Sequence, residues 1–253
     1  MTYPRYCPKT ILITGVTGGF GSAMARRFAS PDTHLVLQAR NAEKLDEITK
    51  DLNAAAITKL VFDVRDDADM AAATESLPPV DLLVNNAGLA LGLEPAHRAD
   101  MADWDDMMDT NCRALVHLTR LVLPPMVERK SGHIINIGSM AGNWPYPGGN
   151  VYGATKAFVR QFSLNLRADL HGTGVRVTNV EPGLAETNFS ITRFKGDKAK
   201  AGAVYAGTTP LSGDDVAETV YWAATLPAHI NINSIEVMPT CQSFAPLNIH
   251  REQ

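Results

Sequence analysis

Thr10-Ile11-Leu12-Ile13-Thr14-Gly15-Val16-Thr17-Gly18-Gly19-Phe20-Gly21-Ser22-Ala23-Met24-Ala25-Arg26-Arg27-Phe28-Ala29 decides the fold. Its first five residues are apolar or β-branched and read as a buried strand. Ser22–Ala29 reads as a helix, and glycines crowd the turn between the two. Strand, glycine turn and helix form the setting of a dinucleotide-binding fingerprint. Gly15 permits the tight turn, Gly19 lets the backbone approach a pyrophosphate, and Gly21 lets the helix pack on the sheet. Thr17 and Phe20 belong to the same candidate phosphate-binding turn. Unpaired N–H groups and the helix dipole at the helix start favour the phosphates.

A second motif lies far down the chain. Tyr152-Gly153-Ala154-Thr155-Lys156 places a phenol and an ammonium four residues apart, with Ser139 thirteen residues upstream. Four residues is about one helical turn, so the two side chains share a face. A free tyrosine titrates near pH ~10, and a cation about 4–6 Å away lowers that by roughly 1–3 units. The pair is therefore expected to exchange a proton near neutral pH, as carbonyl reduction or alcohol oxidation requires.

Apolar strands and amphipathic helices alternate along the rest of the chain. The expected strands are Thr10–Thr14, Leu35–Gln38, Lys59–Phe62, Leu82–Val84, His133–Gly138, Arg176–Val180 and Ile232–Val237. Helices are expected over Asn41–Leu52, Trp104–Glu128 and Val151–His171, among others. This rhythm predicts an α/β fold, a Rossmann-type doubly wound parallel sheet of about seven strands flanked by helices. Residues 1–8 read as a flexible lead-in, and residues 9–253 as a single dinucleotide-binding and catalytic domain. Ligands of such sheets bind at the carboxyl ends of the strands, where both motifs lie.

The end of the second strand reads cofactor choice. An NAD site wants a carboxylate there for the ribose hydroxyls. Gln38-Ala39-Arg40-Asn41 offers none, and Arg40 can pair with a 2′-phosphate, so NADP is expected.

The glycine spacing together with Tyr152 and Lys156 resembles the short-chain dehydrogenase/reductase family, and further motifs extend the resemblance over essentially the whole chain. Asp81-Leu82-Leu83-Val84-Asn85-Asn86-Ala87-Gly88 resembles the fourth strand and its Asn-Asn-Ala-Gly turn. Ile134-Ile135-Asn136-Ile137-Gly138-Ser139 resembles the fifth strand, ending in the substrate-facing serine. Glu181-Pro182-Gly183, Leu184 and Thr187 resemble the segment that holds the nicotinamide end. The resemblance implies catalytic roles for Asn111, Ser139, Tyr152 and Lys156, with Asn111 organising a water that links Lys156 to solvent. It implies that Lys156 also holds the nicotinamide ribose and that Asp63 and Val64 flank the adenine. Leu89–His97, Asn143–Tyr146, Arg193–Asp197 and Leu226–Asn233 resemble one subgroup, the bacterial NADP-dependent 3-hydroxy acid dehydrogenases. These are also described as serine or L-allo-threonine dehydrogenases and as malonic semialdehyde reductases. A reductase of neutral ketones and a non-catalytic NADP(H) sensor are the alternatives. The intact Ser139, Tyr152 and Lys156 argue against the sensor.

The substrate pocket is less legible. Gly142–Asn150 joins the serine to the tyrosine, so Trp144 and Tyr146 are expected to flank the reacting carbon. Arg193, Lys195 and Lys200 follow Pro182-Gly183 and suggest a lid, with Arg193 suited to a bidentate grip on a carboxylate. A solvated cationic loop is the plainer reading of the same residues.

With 253 residues and a net charge of −4, nothing points to nucleic acid or an anionic membrane. No apolar run approaches the ~20 residues of a membrane span. Cys7, Cys112 and Cys241 lack metal or redox spacing, and a cytoplasmic enzyme without a metal is expected. The resemblance implies a homotetramer built on the helices Trp104–Glu128 and Val151–His171. Leu115, Leu118, Val122, Phe158 and Phe162 supply apolar residues beyond one core-facing stripe, although a monomer could bury them internally. The tail from Cys241, with Phe244, Leu247 and Ile249, is expected to pack on a neighbouring subunit.

Overall fold

Alternation along each strand sorts the apolar residues onto two faces of one sheet. The computed structural model describes residues 5–244. β1 (Thr10–Ile13), β2 (His34–Ala39), β3 (Ala56–Val61), β4 (Leu82–Asn85), β5 (Gly132–Ile137), β6 (Val175–Pro182) and β7 (Ser234–Val237) pair in parallel, in the order β3-β2-β1-β4-β5-β6-β7. Helices α1 (Gly19–Phe28), α2 (Ala42–Thr49) and α9 (Gly213–Ala224) pack on Ile11, Ile13, Leu35, Leu37 and Val84. Helices α3 (Asp67–Glu75), α5 (Ala114–Glu128) and α6 (Asn150–Asp169) cover Leu12, Val36, Leu83 and Ile134 on the other face. Both faces are buried, which is why the central strands β1 and β4 are near-continuous apolar runs. Helices α4 (Met101–Met108), α7 (Phe189–Arg193) and α8 (Lys198–Ala203) lie around the carboxyl ends of the strands. The strand order reverses between β1 and β4, and the crevice opens there.

Several expected bounds shift for local reasons. β3 starts at Ala56 rather than Lys59 because it is an edge strand with half its residues exposed, so its apolar pattern is weak. β7 begins at Ser234 rather than Ile232. The Asn231 side chain takes a strand's place beside Val177, accepting its N–H at 2.7 Å and donating to its carbonyl at 2.9 Å. The helix expected over Trp104–Glu128 is α4 and α5 joined by a π-turn over Asp109–Arg113, and α4 starts early because Asp100 caps it.

The expected flexible lead-in is fastened where it is described. Arg5 donates to the Thr225 hydroxyl and the Tyr6 N–H to the Thr225 carbonyl, both at 3.0 Å. The Tyr6 ring also lies against the buried Arg176 guanidinium, 5.2 Å from its centroid. The apolar surplus on the long helices is corrected too. Leu115, Leu118 and Val122 are buried, because α5 packs against α3 as well as the sheet. Leu121 and Phe158 are the exposed ones, and Phe158 stacks on the part-buried Phe162. Leu247 and Ile249 lie outside the described residues.

Candidate active site

A cleft of about 410 Å³ runs across the carboxyl ends of the strands, within the usual range of small-molecule sites. Its floor is the glycine turn after β1, where Gly15 has φ +67°, a value L side chains avoid. A Cβ on Gly21 would lie 2.5 Å from the Gly15 carbonyl oxygen and 2.6 Å from Val16 Cα, so only glycine lets α1 start this close to β1. A Cβ on Gly19 would meet Thr187 at 2.7 Å, which makes this glycine a packing partner of the segment after β6. Thr17 and Phe20 line the cleft beside it.

Side chains lock this turn to its neighbours. The Thr14 hydroxyl accepts the N–H groups of Asn86 and Ala87 at 3.0 and 2.9 Å, and the Asn86 amide donates to the Thr14 carbonyl at 2.7 Å. Buried Gln38 accepts the Gly15 N–H at 3.0 Å and donates to the Phe62 carbonyl at 2.7 Å. One amide thus fixes both the glycine turn and the end of β3, a use that needs an acceptor and a donor together. Neither role was read from the sequence. A buried, uncharged polar residue at a strand's carboxyl end is the signal that marks both.

One end of the cleft is cationic. Arg40 and Lys44 line it together with Asp63 and Val64. Lys44 escaped the sequence reading, and the Asn41 cap that starts α2 is what places it one turn beyond Arg40. Arg65 binds Asp63 and holds its carboxyl below the usual carboxylate range, so it stays ionised beside Arg40 at 3.7 Å. Two cations over open glycine backbone fit a dinucleotide bearing an extra phosphate.

At the other end lie Gly88, Ser139, Tyr152, Lys156, Pro182, Gly183 and Thr187. The turn after β5 packs on α6 through two glycines. A Cβ on Gly142 would lie 2.7 Å from the Lys156 backbone, and one on Gly153 would lie 3.0 Å from the Ala141 carbonyl oxygen. That contact brings the serine beside the tyrosine. Burial pushes the Tyr152 phenol up to about 12, while the hydroxyl of Ser139 and the charge of Arg193 pull it back. The expected lowering by Lys156 is absent. Its ammonium sits 5.9 Å from the Tyr152 ring and donates to the Ile137 carbonyl at 2.8 Å, and burial brings its own pKa down to about 8. Desolvation therefore outweighs the cation–phenol attraction in this structure.

Asn111 stands in the π-turn, and its side chain makes three hydrogen bonds. It accepts the Leu89 N–H and donates to the Leu89 carbonyl at 2.8 Å each, and donates to Thr155 at 3.0 Å. The side chain braces the loop after β4, and Thr110 rather than Asn111 lines the cleft. Leu184 also stays off the cleft lining, its N–H bound to Gln242 at 2.7 Å.

Arg193 and Tyr146 stand beside the cleft rather than in its lining, the guanidinium 5.4 Å from the Tyr146 ring centroid and 5.5 Å from that of Tyr152. Its guanidinium donates to the Tyr146 hydroxyl at 2.8 Å and the Gly92 carbonyl at 3.3 Å. Lys195 pairs with Asp103 at 2.9 Å, which ties the α7–α8 segment to α4. Phe189 packs on Tyr152 at 5.6 Å and walls the mouth, a role the sequence reading missed. Trp144 does not flank the reacting position. Its indole donates to Glu236 at 2.8 Å and its ring packs at a tilt against Phe244 at 4.3 Å, so the tail, and not the cleft, is its partner.

Comparison with known proteins places this geometry. The family model for short chain dehydrogenases matches residues 9–198. NADP-dependent 3-hydroxy acid dehydrogenase YdfG of Salmonella typhi is 57% identical over 246 residues, covering 95% of this chain and 99% of that protein. Sulfoacetaldehyde reductase 2 of Chromohalobacter salexigens is 50% identical over 248 residues, covering 96% and 98%. Among solved structures, the closed form of a serine dehydrogenase complexed with NADP+ superposes with a TM-score of 0.93 at 55% identity, covering 96% of this chain and 100% of that one. The chain belongs to the short-chain dehydrogenase/reductase family and is an NADP-dependent oxidoreductase acting on CH–OH groups.

Proposed function

We propose that the enzyme moves a hydride between NADP(H) and a small 3-hydroxy acid or the corresponding 3-oxo acid or semialdehyde. The observation that carries this reading is Arg193, a guanidinium held beside the cleft against the rings of Tyr146 and Tyr152. An anionic group bound there would leave the carbon two or three atoms away beside Tyr152 and Ser139. The same grip suits a carboxylate or a sulfonate.

NADP(H), when bound, supplies or accepts the hydride. The protein's residues do the rest. Tyr152, protonated throughout the neutral range, gives its proton to the carbonyl oxygen in reduction. Ser139 donates a hydrogen bond to the same oxygen and fixes its position. Lys156, with two ammonium protons left beside its bond to Ile137, would hold the ribose of the cofactor. Phe189, packed on the Tyr152 ring, shields the reacting atoms from water.

The test follows NADPH formation at 340 nm with L-serine, L-allo-threonine, 3-hydroxypropionate and 3-hydroxyisobutyrate, with malonic semialdehyde in the reverse direction. Turnover of these acids with NADP supports the reading. Activity confined to neutral ketones would move the substrate class to the alternative.

Two variants refine it. Arg193→Leu should raise KM for a 3-hydroxy acid about 10–50-fold, the loss of a charge-assisted hydrogen bond of roughly 1.5–2.5 kcal/mol, and leave neutral carbonyls nearly unaffected. Equal losses on both substrate types would remove the carboxylate grip. Arg40→Ala should reduce the preference for NADP over NAD by about 10–100-fold, with Lys44 supplying the residual preference. An unchanged ratio of kcat/KM for the two cofactors would show that Arg40 only borders α2.

The reading carries a cytoplasmic location and a homotetramer in which exposed Leu121 and Phe158 of α5 and α6 meet a second copy. Sedimentation at micromolar concentration checks the latter.

A further inference from the structure

The segment Pro182–Thr187 and the turn holding Ser139 approach the reacting position from different strands, and one side chain from the far end of the chain touches both. After β7 the backbone folds back, with the Gln242 N–H bound to the Pro239 carbonyl at 2.9 Å. The half-buried Gln242 side chain then accepts the Leu184 N–H at 2.7 Å and donates to Met140 Sδ at 2.8 Å. Met140 is the residue after Ser139, and Leu184 follows Pro182 and Gly183, which line the cleft. The amide has one orientation only, since reversing it would set NH2 against the Leu184 N–H.

Gly183 gives a second mark of the same contact. A Cβ on it would run into the Gln242 side-chain oxygen and lie 2.8 Å from Met238 Cγ. The glycine after Pro182 therefore makes room for Gln242. Gly183 is itself the last residue tied to β7, its N–H donating to the Val237 carbonyl at 2.7 Å, so Gln242 receives the first N–H beyond the sheet.

We propose that Gln242 is a positioning residue that sets the nicotinamide-end segment against the Ser139 turn, and so the distance over which the hydride moves. The effect on turnover rests on the roles given above to Ser139 and Pro182–Thr187. The effect on cofactor binding does not depend on the substrate.

The experiment compares wild type, Gln242→Leu, Gln242→Asn and Gln242→Glu by calorimetry with NADPH and with adenosine 2′,5′-bisphosphate, which lacks the nicotinamide half. Gln242→Leu and Gln242→Asn, whose amide is one methylene too short, should weaken NADPH about tenfold, one hydrogen bond's worth, and leave the bisphosphate at wild-type affinity. Gln242→Glu keeps the acceptor for Leu184 and should restore NADPH binding. With a turned-over substrate, the Leu and Asn variants should lose kcat more than they raise KM. They should also show a larger primary isotope effect with NADPH deuterated at the transferred position. A merely structural role would lower the melting temperature and weaken both ligands alike. Equal weakening, or wild-type binding of both by the Leu and Asn variants, would overturn the proposal. Should wild type turn over no hydroxy acid, the proposed substrate class fails and the two affinities still decide the role of Gln242. If the Leu variant does not fold, the Asn and Glu pair gives the same comparison.

Discussion

Tyr152→Phe is expected to lower kcat for carbonyl reduction about 10³-fold while leaving NADPH affinity nearly unchanged, within the range removed with a positioned proton donor. The hydroxyl is the only part of the ring lost, so the packing of Phe189 on that ring survives. No neighbour can replace the proton. The Lys156 ammonium donates to the Ile137 carbonyl at 2.8 Å and makes no hydrogen bond to Tyr152. The Ser139 oxygen accepts the Ala141 N–H at 3.1 Å, which holds the hydroxyl in place and leaves its O–H free to donate. Stopped-flow reduction with NADPH in excess separates the chemical step from cofactor release. A loss below tenfold would show that water or Ser139 delivers the proton.

Burial of the phenol also sets which form of Tyr152 is present at neutral pH. With its pKa raised to about 12, Tyr152 is protonated at neutral pH, the form reduction consumes. Oxidation needs the phenolate, and of the two cations near the ring, Arg193 at 5.5 Å and Lys156 at 5.9 Å, it is Arg193 that pulls the phenol down. The Tyr-x-x-x-Lys spacing revealed which two residues share a helix face. It could not reveal that both would be desolvated, because burial depends on Gly142 and Gly153 pressing the serine turn onto α6. The strand–glycine–helix segment was legible because each part is local: β-branched residues, a positive φ at Gly15, and a helix that must start close to β1. Arg40 was legible for the same reason, as the residue ending a strand whose place in the sheet follows from the fold. Trp144 was misplaced, since its partners Glu236 and Phe244 lie about a hundred residues away, and no pattern within the loop points to them. Gln38 and Gln242 escaped for a related reason. A glutamine acts here through backbone groups of other strands, and those become neighbours only once the sheet is formed.

Lys156→Met should lower kcat/KM about 10²–10³-fold and at the same time make the protein more stable at neutral pH, because the ammonium is held where burial penalises it. Its side chain is almost wholly enclosed, and burial brings its pKa from 10.5 to about 8. Between these values the folded protein has released a proton that the unfolded chain still binds. Wild-type stability therefore rises with pH through that window, and the full penalty, about 3 kcal/mol, applies below pH 8. Methionine removes the charge but leaves the Ile137 carbonyl without its donor, which costs roughly 1–3 kcal/mol and leaves a net gain of about 1 kcal/mol at pH 7. The variant should melt above wild type at pH 7, and the gap should close and then reverse as pH approaches 10.5. In the rate, the wild-type kcat/KM for reduction should fall above pH 8 as the ammonium discharges, and the variant's should be flat through the same range. A variant that melts below wild type at every pH would mean that the bond to Ile137 outweighs desolvation. A falling limb that persists in the variant would assign that titration to a group other than Lys156.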